Sequence, residues 1–254
     1  MQTITFIGNG NMALSIAKGL HGKYNIEVVG RNQTKLDNFA KALDFNIDTY
    51  LLKDFDMTHK IVLLCVKPNN IEEVGKLLHG KADLLISVLA GTTIDDIKKH
   101  LKPKAVVRSM PNLAASIGQS MTTLTGDITA KNESIAILES IGKTLWLNNE
   151  KEIDIATALA GSGPAYLALI AESLADGAVK QGLKREDAMI VMRGLFEGFG
   201  TLIQEIHPSL LKDSVMSPGG TTAAGYGALE DGNVRAACMD AIEQAYEKAK
   251  ILSS

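Results

Sequence analysis

Over residues 1–150, short apolar runs alternate with stretches whose apolar residues recur three and four positions apart. That alternation is the pattern of βαβ units building a parallel sheet. Thr3–Gly8 predicts a first strand and Asn11–Leu20 the helix after it; Asn25–Arg31 predicts a second strand, with a helix over Thr34–Leu43. "KIVLLCV", from Lys60 to Val66, is continuously apolar, as a strand covered on both faces must be. Leu84–Leu89 and Ala105–Met110 read the same way. Between them "TIDDIKKHL" predicts a helix capped by Thr92 or Thr93. Ser120–Thr125 and Thr144–Leu147 are candidates to extend the sheet.

After Trp146 the period changes. From Ile153 to Ile251 no segment reads as a strand. "AYLALIAESLADGAVKQGL", "REDAMIVMRGLFEGFGTLIQEI" and "VRAACMDAIEQAYEKAKIL" carry apolar residues at helical spacing, separated by Gly and Pro signals. The predicted architecture is an α/β N-terminal Rossmann-type dinucleotide-binding domain over 1–150, followed by an all-α C-terminal domain over 151–254. The boundary is expected near Asn148–Lys151.

Composition narrows the class. The 254 residues are 46% hydrophobic and 22% charged, enough to bury a core, and the net charge of −3 gives no basic surface suited to nucleic acid or an anionic membrane. No apolar run is expected to approach the ~20 residues that span a bilayer. Two cysteines, Cys65 and Cys238, each within an apolar or helical run, point to a reducing compartment, and a cytoplasmic location is expected. The start of the chain reads as a strand rather than a signal peptide. The five histidines lack the spacing of a metal site, and no metal is expected.

The first strand runs into Gly8-Asn9-Gly10-Asn11-Met12-Ala13, a G-x-G-x-x-A between a strand and a helix. There Gly8 permits a tight turn, Gly10 lets a pyrophosphate approach the backbone, and Ala13 keeps the helix close to the sheet. The bland alternative is a glycine-rich turn with no ligand. The second strand ends in Gly30-Arg31-Asn32, where a site for NAD usually has Asp or Glu. A guanidinium pairs with a 2′-phosphate, so Arg31 favours NADP, as NADPH, with NAD still allowed; the alternative is a merely solvated arginine. Glu27 lies too far back in the strand to take the acid's place. Val66-Lys67-Pro68, Ala90-Gly91 and Asn112 end successive strands on the ligand-binding edge and are cofactor candidates. Lys67 is equally well a solvated charge, and Asn112 equally well the head of an Asx turn.

Within the helical half, "AGSGPAY" (160–166) breaks one helix and starts another. "DSVMSPGGTTAAG" (213–225) stops a helix at Ser217-Pro218-Gly219-Gly220 and opens the next at Thr221-Thr222. Such a glycine turn either receives an anion on exposed N–H groups or is a plain helix start capped by Thr221 or Ser217.

These motifs, with "CVKP", "LAGTT" and "RSMPN", occur in an order that resembles the pyrroline-5-carboxylate reductases over the whole chain. "SPGGTT" is the most specific of them. The departures are Leu113-Ala114 after "MPN", where the family usually has Thr-Pro, Tyr226 where an aliphatic residue is common, and Ala160 for a frequent serine. The resemblance implies reduction of the cyclic imine 1-pyrroline-5-carboxylate to L-proline, the last step of proline biosynthesis. It implies that Ser217, Gly219, Gly220, Thr221 and Thr222 bind substrate, with Thr222 as the catalytic hydrogen-bonding group at the ring nitrogen. It also implies an intertwined homodimer and allows a decamer of five dimers. Glu205 aligns with a family position near the substrate and also reads as a solvated helix end.

Two other readings compete. A β-hydroxyacid dehydrogenase needs a proton acceptor, typically a lysine on the helix after the glycine break, but after Gly163 no lysine occurs before Lys180. A non-catalytic NADP sensor would use Gly8–Ala13 and Arg31 but leave "SPGGTT" without a purpose.

Overall fold

The computed structural model of the chain describes residues 1–253. Eight strands form one sheet: β1 (Thr3–Ile7), β2 (Asn25–Gly30), β3 (Asp48–Leu51), β4 (Ile61–Leu64), β5 (Leu84–Ser87), β6 (Ala105–Met110), β7 (Ser120–Gly126) and β8 (Gly142–Trp146), in the order β3-β2-β1-β4-β5-β6-β7-β8. β1 to β6 run parallel; β7 pairs antiparallel to β6, and β8 parallel to β7. The 3-2-1-4-5-6 order is that of a dinucleotide-binding sheet, with its switch point between β1 and β4.

The helices of this part are α1 (Asn11–Leu20), α2 (Gln33–Lys41), α3 (Ile71–Leu77), α4 (Ile94–Leu101), α5 (Lys131–Leu138) and α6 (Glu150–Ala156). Neighbouring strand residues feed opposite faces, since side chains alternate across a strand. Phe6, Val28, Leu63 and Ile86 join Ile16, Leu20, Leu36 and Ile137 on one face. Ile7, Val29, Val62, Leu64 and Leu85 join Val74, Ile97 and Leu101 on the other. Helices therefore cover both sides, which is why "KIVLLCV" carries no polar alternation. α4 is capped by Thr93, whose hydroxyl accepts from the Asp96 N–H. Three elements lie where the sequence had suggested none: β3, α3 and α5.

Glu27 is buried in β2, where the Thr5 hydroxyl and the Lys60 ammonium (2.6 Å) both donate to it. It is unavailable to a ligand, as its position in the strand suggested.

Arg108 on β6 is almost fully buried. Its guanidinium pairs with Glu150 (2.8 Å) and Asp154 (2.9 Å) on α6. Glu150 also accepts the Ile94 N–H at the start of α4 (2.9 Å). After α6 comes one π-helical turn, Thr157–Gly161, so helical backbone runs from Glu150 to Lys180. At 31 residues it is long and apolar enough by composition to cross a bilayer, which the sequence expectation did not foresee. The Gly-Ser-Gly-Pro segment at 161–164, expected to break the helix, lies within this run. The first half of the run carries the charges that pair with Arg108 and buries Ile153 and Ala158.

The chain groups into two compact units, Met1–Ser162 with the stretch from Gln244 onward, and Gly163–Glu243. The second holds α7 (Gly163–Lys180), α8 (Arg185–Glu205), α9 (Pro208–Val215), α10 (Thr221–Asp231) and the first half of α11 (Val234–Ser253). As expected, no described residue after Trp146 is in a strand. His207 ends up as the cap of α9, its ring nitrogen accepting from the Ser209 N–H.

Removing one partner of a buried ion pair leaves the other charge uncompensated. Asp154→Ala is therefore expected to destabilise the protein by about 3 kcal/mol in denaturant unfolding. A loss below about 1 kcal/mol, the level of an exposed pair, would show that water screens this one.

Candidate active site

The cofactor-side candidates converge at the switch point. The Gly8 N–H donates to Val29 O (2.9 Å) and the Cys65 N–H to Ile7 O (2.8 Å), so the end of β1 is stitched to both of its neighbours. Gly8 has φ +110°, and a Cβ there would lie 2.7 Å from the Cys65 carbonyl oxygen; only glycine fits. Gly10 differs: its φ is −87°, it N-caps α1 with no side chain closing the cap, and nothing lies within 4 Å of where a Cβ would stand. The first-turn N–H groups of α1, from Asn11 to Ala13, thus open on free space at the positive end of the helix dipole. Ala13 is buried against the sheet. An open cradle over an uncapped helix start fits a pyrophosphate.

A groove of about 510 Å³ runs from this cradle, lined by Gly8, Asn9, Gly10, Arg31, Lys67 and Asn70, with Lys35, Val66, Cys65 and Val74 beside them. Burial pushes the Cys65 thiol up, so it stays protonated and inert there. Asn32 caps α2, its side chain accepting from the Lys35 N–H (3.0 Å), which fixes the turn that carries Arg31. Arg31 itself is not simply solvated: its Nη1 donates to Glu73 of α3 at 2.6 Å. Lys67 is exposed and has no ion pair among the described residues. The sequence reading missed Lys35, a cation one helical turn beyond Arg31 that the spacing could have flagged. It also missed Asn70, Glu73 and Val74, for which it carried no signal.

Ala90 is exposed and Gly91 takes φ +66°, so the β5 loop offers backbone at the same sheet edge. Asn112 does the structural work that its alternative reading allowed. Its Oδ1 accepts from the Ala114 N–H, and its Nδ2 donates to Ala160 O (3.1 Å).

In the second unit, Ser217 O accepts from the Gly220 N–H (3.0 Å) and Gly219 has φ +70°, a β-turn of the kind that needs glycine at its third position. Gly220 N-caps α10 with no side-chain hydrogen bond. The plain cap by Thr221 or Ser217 is not made, and the opening N–H groups remain available to an anion. Thr222 is exposed on the first turn. One and two turns on, Tyr226 and Glu230 share its face. The Tyr226 hydroxyl donates to Glu230, Arg235 pairs with both, and the Lys212 ammonium of α9 lies 5.4 Å from the Tyr226 ring centroid. Arg235, and then the Tyr226 hydroxyl, hold the Glu230 carboxyl down to about 2. Glu205 is exposed on the last turn of α8.

Comparison with known proteins bears on both halves. Residues 150–252 match the family model described as pyrroline-5-carboxylate reductase dimerisation, and residues 3–91 match one described as NADP oxidoreductase coenzyme F420-dependent. The chain is 37% identical to a pyrroline-5-carboxylate reductase of Glycine max, with 99% of this chain and 96% of that protein covered. It is 34% identical to the one from Thermus thermophilus, with 95% of each covered. Among solved structures, the pyrroline-5-carboxylate reductase of Coxiella burnetii superposes with a TM-score of 0.85 at 34% identity, covering 99% of this chain and 98% of that one. The Plasmodium falciparum enzyme with NADP bound gives 0.83 at 26%, covering 100% and 98%.

The two glycines of the first motif separate fold from binding. Gly8→Ala is expected to cost at least about 2 kcal/mol of stability through strain and clash. Gly10→Ala should keep stability within about 1 kcal/mol yet weaken NADPH binding about tenfold or more, read by thermal melts and nucleotide titration. For Glu230, a depressed carboxyl stabilises only while ionised. Wild type should therefore melt above Glu230→Gln at pH above the ordinary value of 4.5, with the gap closing as pH falls to about 2.

Proposed function

The chain belongs to the pyrroline-5-carboxylate reductase family, and on that premise we propose how its own residues carry the reaction. The protein reduces 1-pyrroline-5-carboxylate to L-proline in proline biosynthesis, using NADP(H). When bound, the dinucleotide supplies the hydride. NADPH is the preferred form, a reading supported by Arg31 and Lys35 on the groove and by the lack of an acid at the end of β2. Gly8, Asn9, Gly10, Asn11, Met12 and Ala13 would hold its pyrophosphate, and Arg31 and Asn32 its adenosine phosphate. Val66, Lys67, Pro68, Ala90, Gly91 and Asn112 border the rest of the path, Asn112 through the loop it holds rather than through a free amide.

One observation carries the substrate reading: the Ser217–Gly220 turn delivers an uncapped helix start. The N–H groups of Gly219 and Thr221 receive the substrate carboxylate, since the dipole favours an anion and no side chain blocks its approach; Gly220, whose own N–H is held by Ser217 O, keeps that approach open. Thr222 Oγ1 hydrogen-bonds the ring nitrogen. A protonated imine is already electrophilic, so its carbon accepts the hydride and its C=N pair becomes the amine lone pair without a strong general acid. The protein's contribution is orientation and the steadying of a nitrogen that loses its charge.

The functional division falls at 150/151, with 1–150 binding cofactor and 151–254 serving substrate and dimerisation; the family match beginning at residue 150 supports this. In the second unit only Ala175 and Ala188 are buried among the described residues, while Leu169, Ile190, Val191, Leu195 and Leu210 are more than half exposed. That much apolar helix surface calls for a second copy. A homodimer, with a decamer of five dimers as its further assembly, covers it. A cytoplasmic setting accords with the two free thiols.

Purified protein is expected to oxidise NADPH only when 1-pyrroline-5-carboxylate is present. Thr222→Ala should lower kcat/KM about 10- to 100-fold, the scale of one hydrogen bond to a charged group. Full activity in that variant would remove Thr222 from the site. Tight NADPH binding without turnover in wild type would favour the sensor reading instead.

A further inference from the structure

The cation that recognises NADPH already has an anionic partner. Arg31 Nη1 donates to Glu73 Oε2 at 2.6 Å, across a sequence separation of 42 residues. Glu73 sits between Asn70 and Val74, both of which line the same groove as Arg31 and Lys35. The neighbouring acid is engaged elsewhere, since Glu72 pairs with Lys76 along α3 (2.7 Å). An acid is missing from the end of β2, but one reaches the adenosine end of the groove from the other side of the switch point.

We propose that Glu73 is a specificity-determining residue whose carboxylate competes with the 2′-phosphate of NADPH for Arg31 and so narrows the preference for NADPH over NADH. This rests on the reading of Arg31 as the 2′-phosphate ligand. A guanidinium binds a phosphate best through its fork of N–H groups, and Glu73 holds one arm of that fork. To engage Arg31 fully, the phosphate displaces the carboxylate or accepts a like charge within a few ångströms of it. NADH lacks the 2′-phosphate, leaves the Arg31–Glu73 pair intact, and meets no such penalty. Lys35 has no ion pair among the described residues and keeps the balance in favour of NADPH. Both members of the pair are about half exposed, so the effect is graded rather than absolute.

The test is direct binding of NADPH and NADH to the whole assembled protein, by nucleotide fluorescence or calorimetry. It compares wild type, Glu73→Gln, Arg31→Ala and the double variant, each with a melting curve to confirm folding. Glu73→Gln is expected to tighten NADPH roughly two- to fivefold, the range of an exposed ion pair, and leave NADH unchanged. In the Arg31→Ala background that gain should largely disappear. Weaker NADPH binding by Glu73→Gln would overturn the proposal and make Glu73 a support that positions Arg31. Equal tightening of NADPH and NADH would overturn it as a general charge effect, and no change in either would overturn it outright. If Arg31→Ala leaves the NADPH to NADH ratio at its wild-type value, the underlying assignment of Arg31 fails, and the proposal falls with it.

Discussion

A buried guanidinium must be surrounded by anions, and Arg108 organises its unit around that requirement. Its side chain is buried on β6, an interior strand of the sheet, and the two carboxylates that balance it come from α6. One of them, Glu150, also satisfies the first free N–H of α4. A strand, a helix start and the helix leading out of the sheet are thus locked by a single charge. The neighbouring Asn112 adds a second tie, to Ala160 within the π turn. Arg108 and Asn112 of "RSMPN" therefore hold α6 and the π turn after it at a defined place on the sheet. Replacing such a cluster with apolar residues need not weaken a fold, but removing one member does, because the remaining charge has no water to turn to.

The two compact units solve the hydrophobic problem differently. The sheet-bearing unit buries apolar side chains on both faces, and Gly8 at the switch point lets backbone meet backbone. The helical unit leaves most of its leucines and isoleucines in contact with solvent within one chain. That is expected of a region whose core is completed by a second copy. The Ser217–Gly220 turn, with its uncapped helix start, is set in this unit.

The electrostatics of the cofactor groove are a balance rather than a simple basic patch. Arg31 and Lys35 bring two cations to it, and Glu73 pairs with one of them. An exposed arginine gains order from such a pair at little cost in stability.

The sequence by itself determined the local features: G-x-G-x-x-A between strand and helix, the buried runs of β4, β5 and β6, and the turn and helix start at Ser217–Thr222. Each is written in consecutive residues, because φ > 0, helix opening and two-sided burial are local demands. It was blind to β3, whose "DTYL" is short and half exposed and becomes a strand only because β2 offers an edge. It was blind to α3, seven residues with a glycine among them, and to α5, whose apolar residues do not gather on one helical stripe as those of the equally short α4 do. Only the tertiary structure decided that Glu73 meets Arg31 and that Arg108 takes its anions from α6. Those partners lie 42 and 46 residues apart at most, and nothing in the local sequence says which strands will be neighbours. The strand order that places β4 beside β1 brings the first pair together, and burial, which leaves a charge no other partner, enforces the second.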